Sequence, residues 1–412
     1  MRELRLGALA QHAQLPWPHP SNEIWSRTDV TWLDPMRGFS LAADPGLLRS
    51  VRLGNGQLQS FIQALADEYL LVRADGAWVS QHLPPQVTVT EIAQAAQEHA
   101  RAIQTILTAD GLTPEERKLT SLNEAFHHDD CVVQIADGFR ETRPIRLVRL
   151  LSAGAKHALF PLTVIRVGAG SVVTLIDEYV SLAPEATAEA HVINSRIELV
   201  LEPGATVHYA RIQRWDARAR EFLLQRATLQ EGATLTLVNI NIGAAVSKTH
   251  VVTKLLGPHA ESRLYGFVFG HGKQHVDHHT LQDHQAPQTT SDLLYKAALK
   301  DESRMIYTGL IRIAKAAKQT NAYQANHNLL LSPNAKAETI PMLEILADDV
   351  QCKHGATIGP VDEEQLFYLM TRSIPRELSE RLLVMGFVEP IIQQVPFEPL
   401  QERLREELEG DL

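Results

Sequence analysis

Cysteine is nearly absent from this chain of 412 residues, in which Cys131 and Cys352 are the only two. Two cysteines cannot form a disulfide framework. The class of small, disulfide-stabilised secreted domains is therefore excluded, and the chain must be held together by a hydrophobic core. At 44% hydrophobic and 21% charged residues its composition is ordinary for a globular protein.

Long apolar runs and excess basic charge are also missing. No segment approaches the ~20 apolar residues of a membrane-spanning helix, and no basic region followed by an apolar stretch opens the chain as a secretory signal would. The net charge of −10 argues against a nucleic-acid-binding surface, which is basic. We therefore expect a cytoplasmic protein that binds neither membrane nor nucleic acid.

The motifs of common enzymes are absent as well. Gly272-Lys273 resembles part of a phosphate-binding loop, but Phe267 and Gln274 occupy positions where that motif needs Gly and Ser or Thr. Neither a GxSxG nor an HExxH sequence occurs. We predict that the chain has no catalytic residues and is not an enzyme.

The first part of the chain, residues 1–131, is predicted to be a mostly helical domain. Pro16, Pro18 and Pro20 interrupt any helix near the start, so residues 1–48 are expected to be loosely structured. Further on, the pattern predicts helices over 56–67 and 90–107 and from Pro114, and a strand over 69–72 that ends in an Asp-Gly turn.

A long β domain is predicted over residues 132–358. Short runs rich in Val, Ile, Leu and Thr alternate with turn residues. A repeat recurs at Gly170, Gly204 and Gly232 and more loosely at 258–265, with spacings of 34, 28 and 27 residues. Strand repeats of this length without intervening helices favour a β-helix, in which each coil covers the apolar face of its neighbour.

Residues 359–412 are predicted to form a C-terminal helical domain. Helices are expected to begin after Asp362 and at Pro375, the second ending at Gly386, and a third segment covers 389–412. Leu366, Phe367, Leu369 and Met370 are expected to form the apolar face of the first helix. Helices this short cannot bury a core alone, so they need the β-helix or a partner subunit.

Three groups of residues could ligate a metal. Cys352 and His354 would share one face of a strand, and thiolate and imidazole suit iron, zinc or copper. His275, Asp277 and His279 would also share a strand face, although a polar, partly exposed β-helix face explains them better. The run from His127 to Cys131 is best explained as a polar turn leading into the β domain, because consecutive residues cannot all face one ion.

Part of the chain resembles a known family. The segments that carry the resemblance are Gly309, 328–332 (NLLLS), Pro341 with 343–345, 348–350, Cys352, 354–357 (HGAT), 366–369 (LFYL) and 386–387. They resemble the paired SufB/SufD scaffold proteins of iron–sulfur cluster assembly. The absence of cysteine between Cys131 and Cys352, and the proline-rich N-terminal arm, favour the SufD branch. Thr371-Arg372-Ser373-Ile374 departs from the Ser-Arg-Gly-Ile frequent in the family.

This resemblance implies a right-handed parallel β-helix that pairs with SufB through its last coils and binds the ATPase SufC through helices at about 360–395. It implies that His354, beside Cys352, helps to hold a transient iron–sulfur cluster shared with SufB, with no cofactor bound stably by this chain alone. Two thiolates could not complete a four-thiolate cluster by themselves. The residues expected to contact SufC are Phe367, Tyr368, Arg372, Leu382 and Phe387.

Two other interpretations remain open. A structural β-helix protein that forms homodimers would need His354 only for stability. A β-helix enzyme acting on carbohydrates would need clustered acids and aromatic residues along a groove, and the aromatic content is only 6%.

Overall fold

A computed structural model describes residues 2–35, 40–41, 68–98, 107, 112–151, 157–181 and 190–411. Six α-helices are described: α1 (Arg2–Gln14), α2 (Ile92–Glu98), α3 (Pro114–Phe126), α4 (Glu363–Thr371), α5 (Arg376–Ile392) and α6 (Glu398–Asp411). A short 3₁₀ helix covers Thr31–Leu33. Within these residues no helix has the length and apolar character needed to cross a bilayer.

The described strands form two large sheets. Sheet A contains, in spatial order, β4 (Val87–Thr90), β5 (Asp129–Ile135), β8 (Pro161–Val167), β10 (His191–Leu201), β12 (Ala219–Leu229), β14 (Val246–Leu255), β16 (His275–His284), β18 (Arg304–Ile313) and β20 (Lys336–Ile345), with β1 (Ser40–Leu41) and β7 (His157–Leu159) beside β10. Sheet B contains β3 (Ala77–His82), β2 (Tyr69–Ala74), β6 (Ile145–Leu151), β9 (Val172–Ser181), β11 (Thr206–Arg214), β13 (Thr234–Asn241), β15 (Glu261–Gly270), β17 (Thr290–Leu299), β19 (Thr320–Leu330) and β21 (Val350–Pro360).

From β8 onward the chain alternates between the two sheets, and from β10 onward each strand pairs in parallel with the strand two places before it. This is a parallel β-helix, as the repeat predicted. The register reproduces the repeat spacing: Thr206 pairs with Val172, 34 positions earlier, and Thr234 pairs with Thr206, 28 positions earlier. Each turn of the solenoid therefore contributes one strand to each sheet.

The repeated glycines lie in the turns between the sheets. Gly170, Gly204 and Gly232 have φ of 66°, 68° and 63°, the left-handed region that favours glycine. A Cβ on Gly170 or Gly232 would meet no atom within 4 Å, so backbone conformation rather than space selects glycine there. In the looser fourth copy of the repeat, His259 adopts the same conformation with a φ of 61°.

The two sheets enclose an apolar interior, and terminal segments cover their outer faces. Helix α3 and the N-terminal segment with Trp25 and Trp32 pack on the outside of sheet A. Helices α5 and α6 pack through Val388 and Leu404 on the outside of sheet B. The C-terminal helices therefore depend on the β-helix for their core, as expected from their length.

Several local features differ from the sequence predictions. Residues 2–14 form helix α1 rather than a loose segment, because the prolines begin only at Pro16. Strands β2, β3 and β4 extend the two sheets, so the described part of the N-terminal region contains strands as well as helices. The helix predicted over 56–67 lies outside the described residues, and of the helix predicted over 90–107 the structure describes Ile92–Glu98 and Leu107. The domain boundaries at 131/132 and 358/359 stay predictions.

Other local predictions are confirmed. Helix α3 begins with Pro114 at its first position, behind the N-cap Thr113. Strand β2 ends in the turn at Asp75-Gly76.

Helix α5 does not end at Gly386 but continues to Ile392. Pro390 lies inside this helix and cannot donate a hydrogen bond to the carbonyl of Gly386, four residues earlier. Gly386 has no atom within 4 Å of where a Cβ would lie, so the chain has room to adjust to the proline ring. The helix persists because Val388, Ile391 and Ile392 are buried against sheet B.

Candidate functional site at the open end of the β-helix

Strands β20 and β21 form the last coil, and among the described strands none pairs with their outer edges. Their residues are half-buried or exposed, whereas the strands one coil earlier are mainly buried. Apolar side chains lie exposed here, namely Leu343, Ile345, Leu346 and Ile358. Exposed apolar side chains next to unpaired strand edges are typical of a surface that a partner covers.

Cys352 and His354 lie on β21, two positions apart as predicted. They stack in register on Ala322 and Gln324 of β19, which are buried. The side chain of Gln324 donates a hydrogen bond to the carbonyl of Gly309 in the opposite sheet, at 3.2 Å, so this column of residues faces the interior of the solenoid. Cys352 and His354 thus continue an interior column at the point where no further coil covers it.

The two side chains differ in exposure. Cys352 is half-buried against an apolar cluster that includes Ile311 and Ala322, and burial raises the pKa of its thiol. His354 is exposed. Among the described residues no third cysteine, histidine or carboxylate completes a metal-binding cluster with them. The pair can therefore offer two ligands at most and leaves the remaining ligands to another molecule.

The expected partner-binding residues of the C-terminal helices fall into two groups. Phe367, Tyr368 and Leu382 project into solvent, and Phe367 is 69% exposed. The guanidinium of Arg372 lies over the Tyr368 ring at 5.2 Å and donates a hydrogen bond to its hydroxyl at 3.1 Å. Phe387 instead faces the β-helix, where the ammonium of Lys296 lies 4.6 Å from its ring centre.

The expected apolar face of α4 is only partly correct. Leu366 is buried, Leu369 is half-buried, and Phe367 and Met370 are exposed. Sequence reasoning also missed Leu378 of α5, which is exposed beside this group. Helical periodicity finds the apolar residues but cannot tell a face that packs on the same chain from one that a partner would cover.

Cys131 is remote from this end of the molecule. It lies on β5, near the opposite end of sheet A, and is 1% exposed. Burial raises the pKa of its thiol, and its sulfur lies 3.5 Å from an Arg149 nitrogen. Both cysteines are free, and Cys131 cannot join Cys352 in one site.

The polar run before Cys131 leads into β5, as predicted, and internal contacts account for it. His127 Nδ1 lies 2.5 Å from Asp130 Oδ2, and Asp129 forms an ion pair with Arg73 at 2.6 Å. The Asp129 and Asp130 carboxylates and the His127 imidazole therefore stabilise the local structure.

The run His271–His284 differs from the expectation of a partly exposed face. Most of β16 is buried, because the N-terminal segment covers the outside of sheet A. His275 and Asp277 share a face and both contact the hydroxyl of Thr28, which donates to Asp277 Oδ2 at 2.5 Å. Thr28 Oγ1 lies 2.8 Å from His275 Nε2, and Lys248 donates to Asp277 at 2.7 Å. His279 approaches Glu116 and His250 instead.

Comparisons with known proteins agree with this architecture. The family model described as the SUF system FeS cluster assembly, SufBD core domain, matches residues 150–387. The iron–sulfur cluster assembly protein SufD of Bacillus subtilis is 27% identical over 98% of this chain and 92% of its own length. SufB of the same organism is 26% identical over 73% of this chain and 64% of its own length. An iron–sulfur cluster assembly SufBD family protein of Mycobacterium tuberculosis is 32% identical over 49% of this chain, a match that covers 24% of that protein. The family match covers most of the β-helix, helix α4 and the larger part of α5, and the SufD match extends over nearly the whole of both chains. This chain therefore belongs to the SufB/SufD family of iron–sulfur cluster assembly proteins, on its SufD branch.

Proposed function

We propose that this chain is a SufD-like scaffold subunit that pairs with SufB through the open last coil of its β-helix. The open coil is the observation that carries the proposal, because strand edges and apolar side chains are exposed there together. The similarity to both SufD and SufB supports pairing between two related chains. A second β-helix of the same family would extend both sheets by pairing with the open strand edges.

The proposed role of His354 is to ligate or stabilise a nascent cluster at this interface. Its imidazole is exposed on the interior column of the last coil, so a partner docked on that coil would enclose it. An imidazole is a known replacement for thiolate on iron in some clusters. If two chains share the ligands of the cluster, this chain does not need four cysteines of its own. Cys352 lies beside His354 as a second candidate ligand.

The proposed SufC site is the exposed face of α4 and α5. Phe367, Tyr368 and Leu382 are apolar or aromatic, and Arg372 adds a planar cation held against Tyr368. Aromatic and Arg side chains are enriched at the centres of protein interfaces. ATP-driven closure of two SufC subunits would move the helices and open the SufB interface, so that this chain takes part by changing conformation and performs no catalysis itself.

The experiment that tests the cluster role is co-expression with the cognate SufB and SufC, followed by anaerobic purification. Iron and acid-labile sulfide are then measured on complexes containing wild type, His354→Ala or Lys353→Ala. Lys353 is the matched control because it is exposed on the same strand but points to the opposite face. We expect His354→Ala to lose most of the cluster while the complex stays intact, and Lys353→Ala to keep it.

Other outcomes would contradict parts of the proposal. An unchanged cluster in His354→Ala would place the site wholly on SufB and leave this chain a structural subunit. Failure to form any complex with SufB, together with a stable homodimer, would favour the structural homodimer instead.

A further inference from the structure

A buried cluster of ligand-type side chains lies between helix α3 and the outside of sheet A, on strands β14 and β16 rather than on the last coil. Glu116 comes from the first turn of α3, and His250 and His279 are register partners on β14 and β16. One ligand atom from each of the three lies within 4.8 Å of the other two. Glu116 and His279 are each 5% exposed and His250 is fully buried. We propose that these three side chains bind a structural divalent metal ion, which we assign as Zn²⁺.

The unpaired nitrogens of the two histidines are the main argument. His250 Nδ1 lies 2.8 Å from Glu116 Oε1, but His250 Nε2 has no hydrogen-bond partner, and neither ring nitrogen of His279 has one. Leaving a buried polar atom unpaired is unfavourable, because the atom loses its hydrogen bonds to water without replacing them. Three such atoms within one small cluster indicate a missing partner, and a cation that accepts imidazole lone pairs would satisfy two of them, one on each ring.

The local charges point the same way. The Glu116 carboxylate is buried, and its partner within the cluster is the His250 imidazole at 2.8 Å. The nearby Lys248 is already paired with Asp277 at 2.7 Å. A divalent cation would compensate the buried Glu116 carboxylate.

The ligand set and its surroundings favour zinc. Two imidazoles and one carboxylate are a frequent zinc set, with Zn–N and Zn–O distances of about 2.0–2.2 Å. In a tetrahedron such ligand atoms lie roughly 3.3 Å apart, so a spread of 4.8 Å closes by side-chain rotation. His250 lies 4.9 Å from the Trp25 ring and 5.6 Å from the Phe222 ring, centre to centre, a setting with little room for the several waters of a six-coordinate ion.

Such an ion would fasten the N-terminal part of the chain to the solenoid. Glu116 belongs to α3, and the side chain of Trp25, which stacks on His250, belongs to the N-terminal segment. The two histidines lie on adjacent coils. One ion would therefore link helix α3 to two adjacent coils that lie more than a hundred residues later in the sequence. Such a link adds stability only to the folded state.

The test uses the full chain, expressed and purified in medium of defined metal content. We expect about one equivalent of Zn²⁺ per chain by mass spectrometry of the metal, and a lower melting temperature after removal with a chelator that is restored by Zn²⁺. Chain grown with Co²⁺ in place of zinc should show the visible absorption of a four-coordinate nitrogen and oxygen site. His279→Gln should lose both the metal and the absorption.

His278→Gln is the matched control. His278 is the adjacent residue, is equally buried and has two unpaired ring nitrogens, but it points to the interior of the solenoid, 5.7 Å from the Tyr295 ring. This variant should keep the metal and the absorption. Glu116→Gln is the second variant, chosen because its carbonyl can still accept the capping hydrogen bond that Thr113 N donates to Glu116. It should bind Zn²⁺ at least about tenfold more weakly.

Three results would overturn the proposal. The first is that the wild-type chain takes up no metal. The cluster would then consist only of the hydrogen bond between Glu116 and His250, with His279 unpaired. The second is loss of metal in His278→Gln or its retention in both His279→Gln and Glu116→Gln. The third is occupation by Fe²⁺ that Zn²⁺ cannot replace, which would overturn the assignment to zinc. If His279→Gln does not fold, Glu116→Gln decides.

Discussion

His284 is a buried histidine whose two ring nitrogens are both engaged. Nδ1 lies 2.7 Å from Thr289 Oγ1, and Nε2 lies 2.8 Å from Ser291 Oγ. Burial lowers the pKa of its imidazole to about 4. The imidazole is therefore held in its neutral form, and protonation favours the unfolded chain.

The first prediction concerns the pH dependence of stability. Between pH 6.5 and about 4 the unfolded chain binds the His284 proton and the folded chain does not, so the free energy of unfolding falls as the pH falls through this window. His284 alone should contribute a loss of about 2 kcal/mol between pH 7 and pH 5. His284→Gln removes the titrating group, so urea unfolding at the two pH values should show a smaller loss in the variant. An equal loss in both proteins would mean that His284 is already protonated when folded.

Ser373 lies in the turn between α4 and α5 with a φ of 64°. This is the position where the family often has glycine. The left-handed conformation costs a residue with a Cβ about 1–2 kcal/mol. The turn keeps its shape because the amide of Ser373 donates a hydrogen bond to the Met370 carbonyl at 3.0 Å.

The second prediction follows from this conformation. Ser373→Gly relieves the backbone strain but gives the unfolded chain more freedom, worth roughly 0.5–1 kcal/mol. The net effect should be a stabilisation of up to about 1 kcal/mol, seen as a higher urea midpoint. Ser373→Ala keeps the Cβ and should not stabilise. A gain of equal size in both variants would show that the serine side chain, rather than its backbone, is unfavourable.

At the scale of elements, one part of the C-terminal helices packs on sheet B and another part leaves apolar side chains exposed. Helix α6 and the second half of α5 are packed on sheet B, and ion pairs fasten them, such as Arg214 with Glu407 at 2.9 Å and the contact of Arg403 with Glu178. Helix α4 and the first half of α5 instead leave Phe367, Tyr368 and Leu382 uncovered. The exposed half is where a partner can dock without disturbing the core.

The third prediction separates these two parts. Phe367→Ala removes an exposed ring, so the melting temperature should stay close to wild type while the affinity for SufC falls by about tenfold or more. Phe387→Ala removes a ring packed on the β-helix beside Lys296, so it should lower the melting temperature. Calorimetry and titration with purified SufC measure the two effects. Unchanged SufC affinity in Phe367→Ala would exclude this face as the site.

At the scale of the whole molecule, the terminal segments cover some surfaces of the β-helix and leave others exposed. The N-terminal segment covers sheet A and the C-terminal helices cover sheet B, but no described segment covers the last coil. A solenoid end that lacks a cap normally exposes apolar surface and strand edges. This uncovered end is the surface at which we propose that SufB binds.

The fourth prediction tests this end against an equally exposed site elsewhere. Ile358 on β21 is 43% exposed, and Leu256, which follows β14, is 44% exposed. Ile358→Lys should weaken SufB binding without lowering the melting temperature, because the side chain packs little within this chain. Leu256→Lys should change neither. If both variants bind SufB like wild type, the last coil is not the interface.

Some features of this protein were determined by local sequence alone. The 34- and 28-residue spacings of the glycine turns became the strand register, because a turn that needs positive φ marks the same point of each coil. The strand position of Cys352 and His354 and the start of α3 at Pro114 likewise follow from short-range rules. Patterns of this kind depend only on near neighbours in the chain.

Tertiary structure decided which of these residues are covered and which meet. Periodicity marked the apolar residues of α4 but not that Phe367 faces solvent. It placed His275, Asp277 and His279 on one face but not that the first two contact Thr28 while His279 approaches Glu116 and His250. Glu116 and His250 are 134 positions apart and come together only because α3 packs across sheet A. Burial and long-range contacts depend on where distant segments lie, and nothing in a local pattern encodes the distance between them.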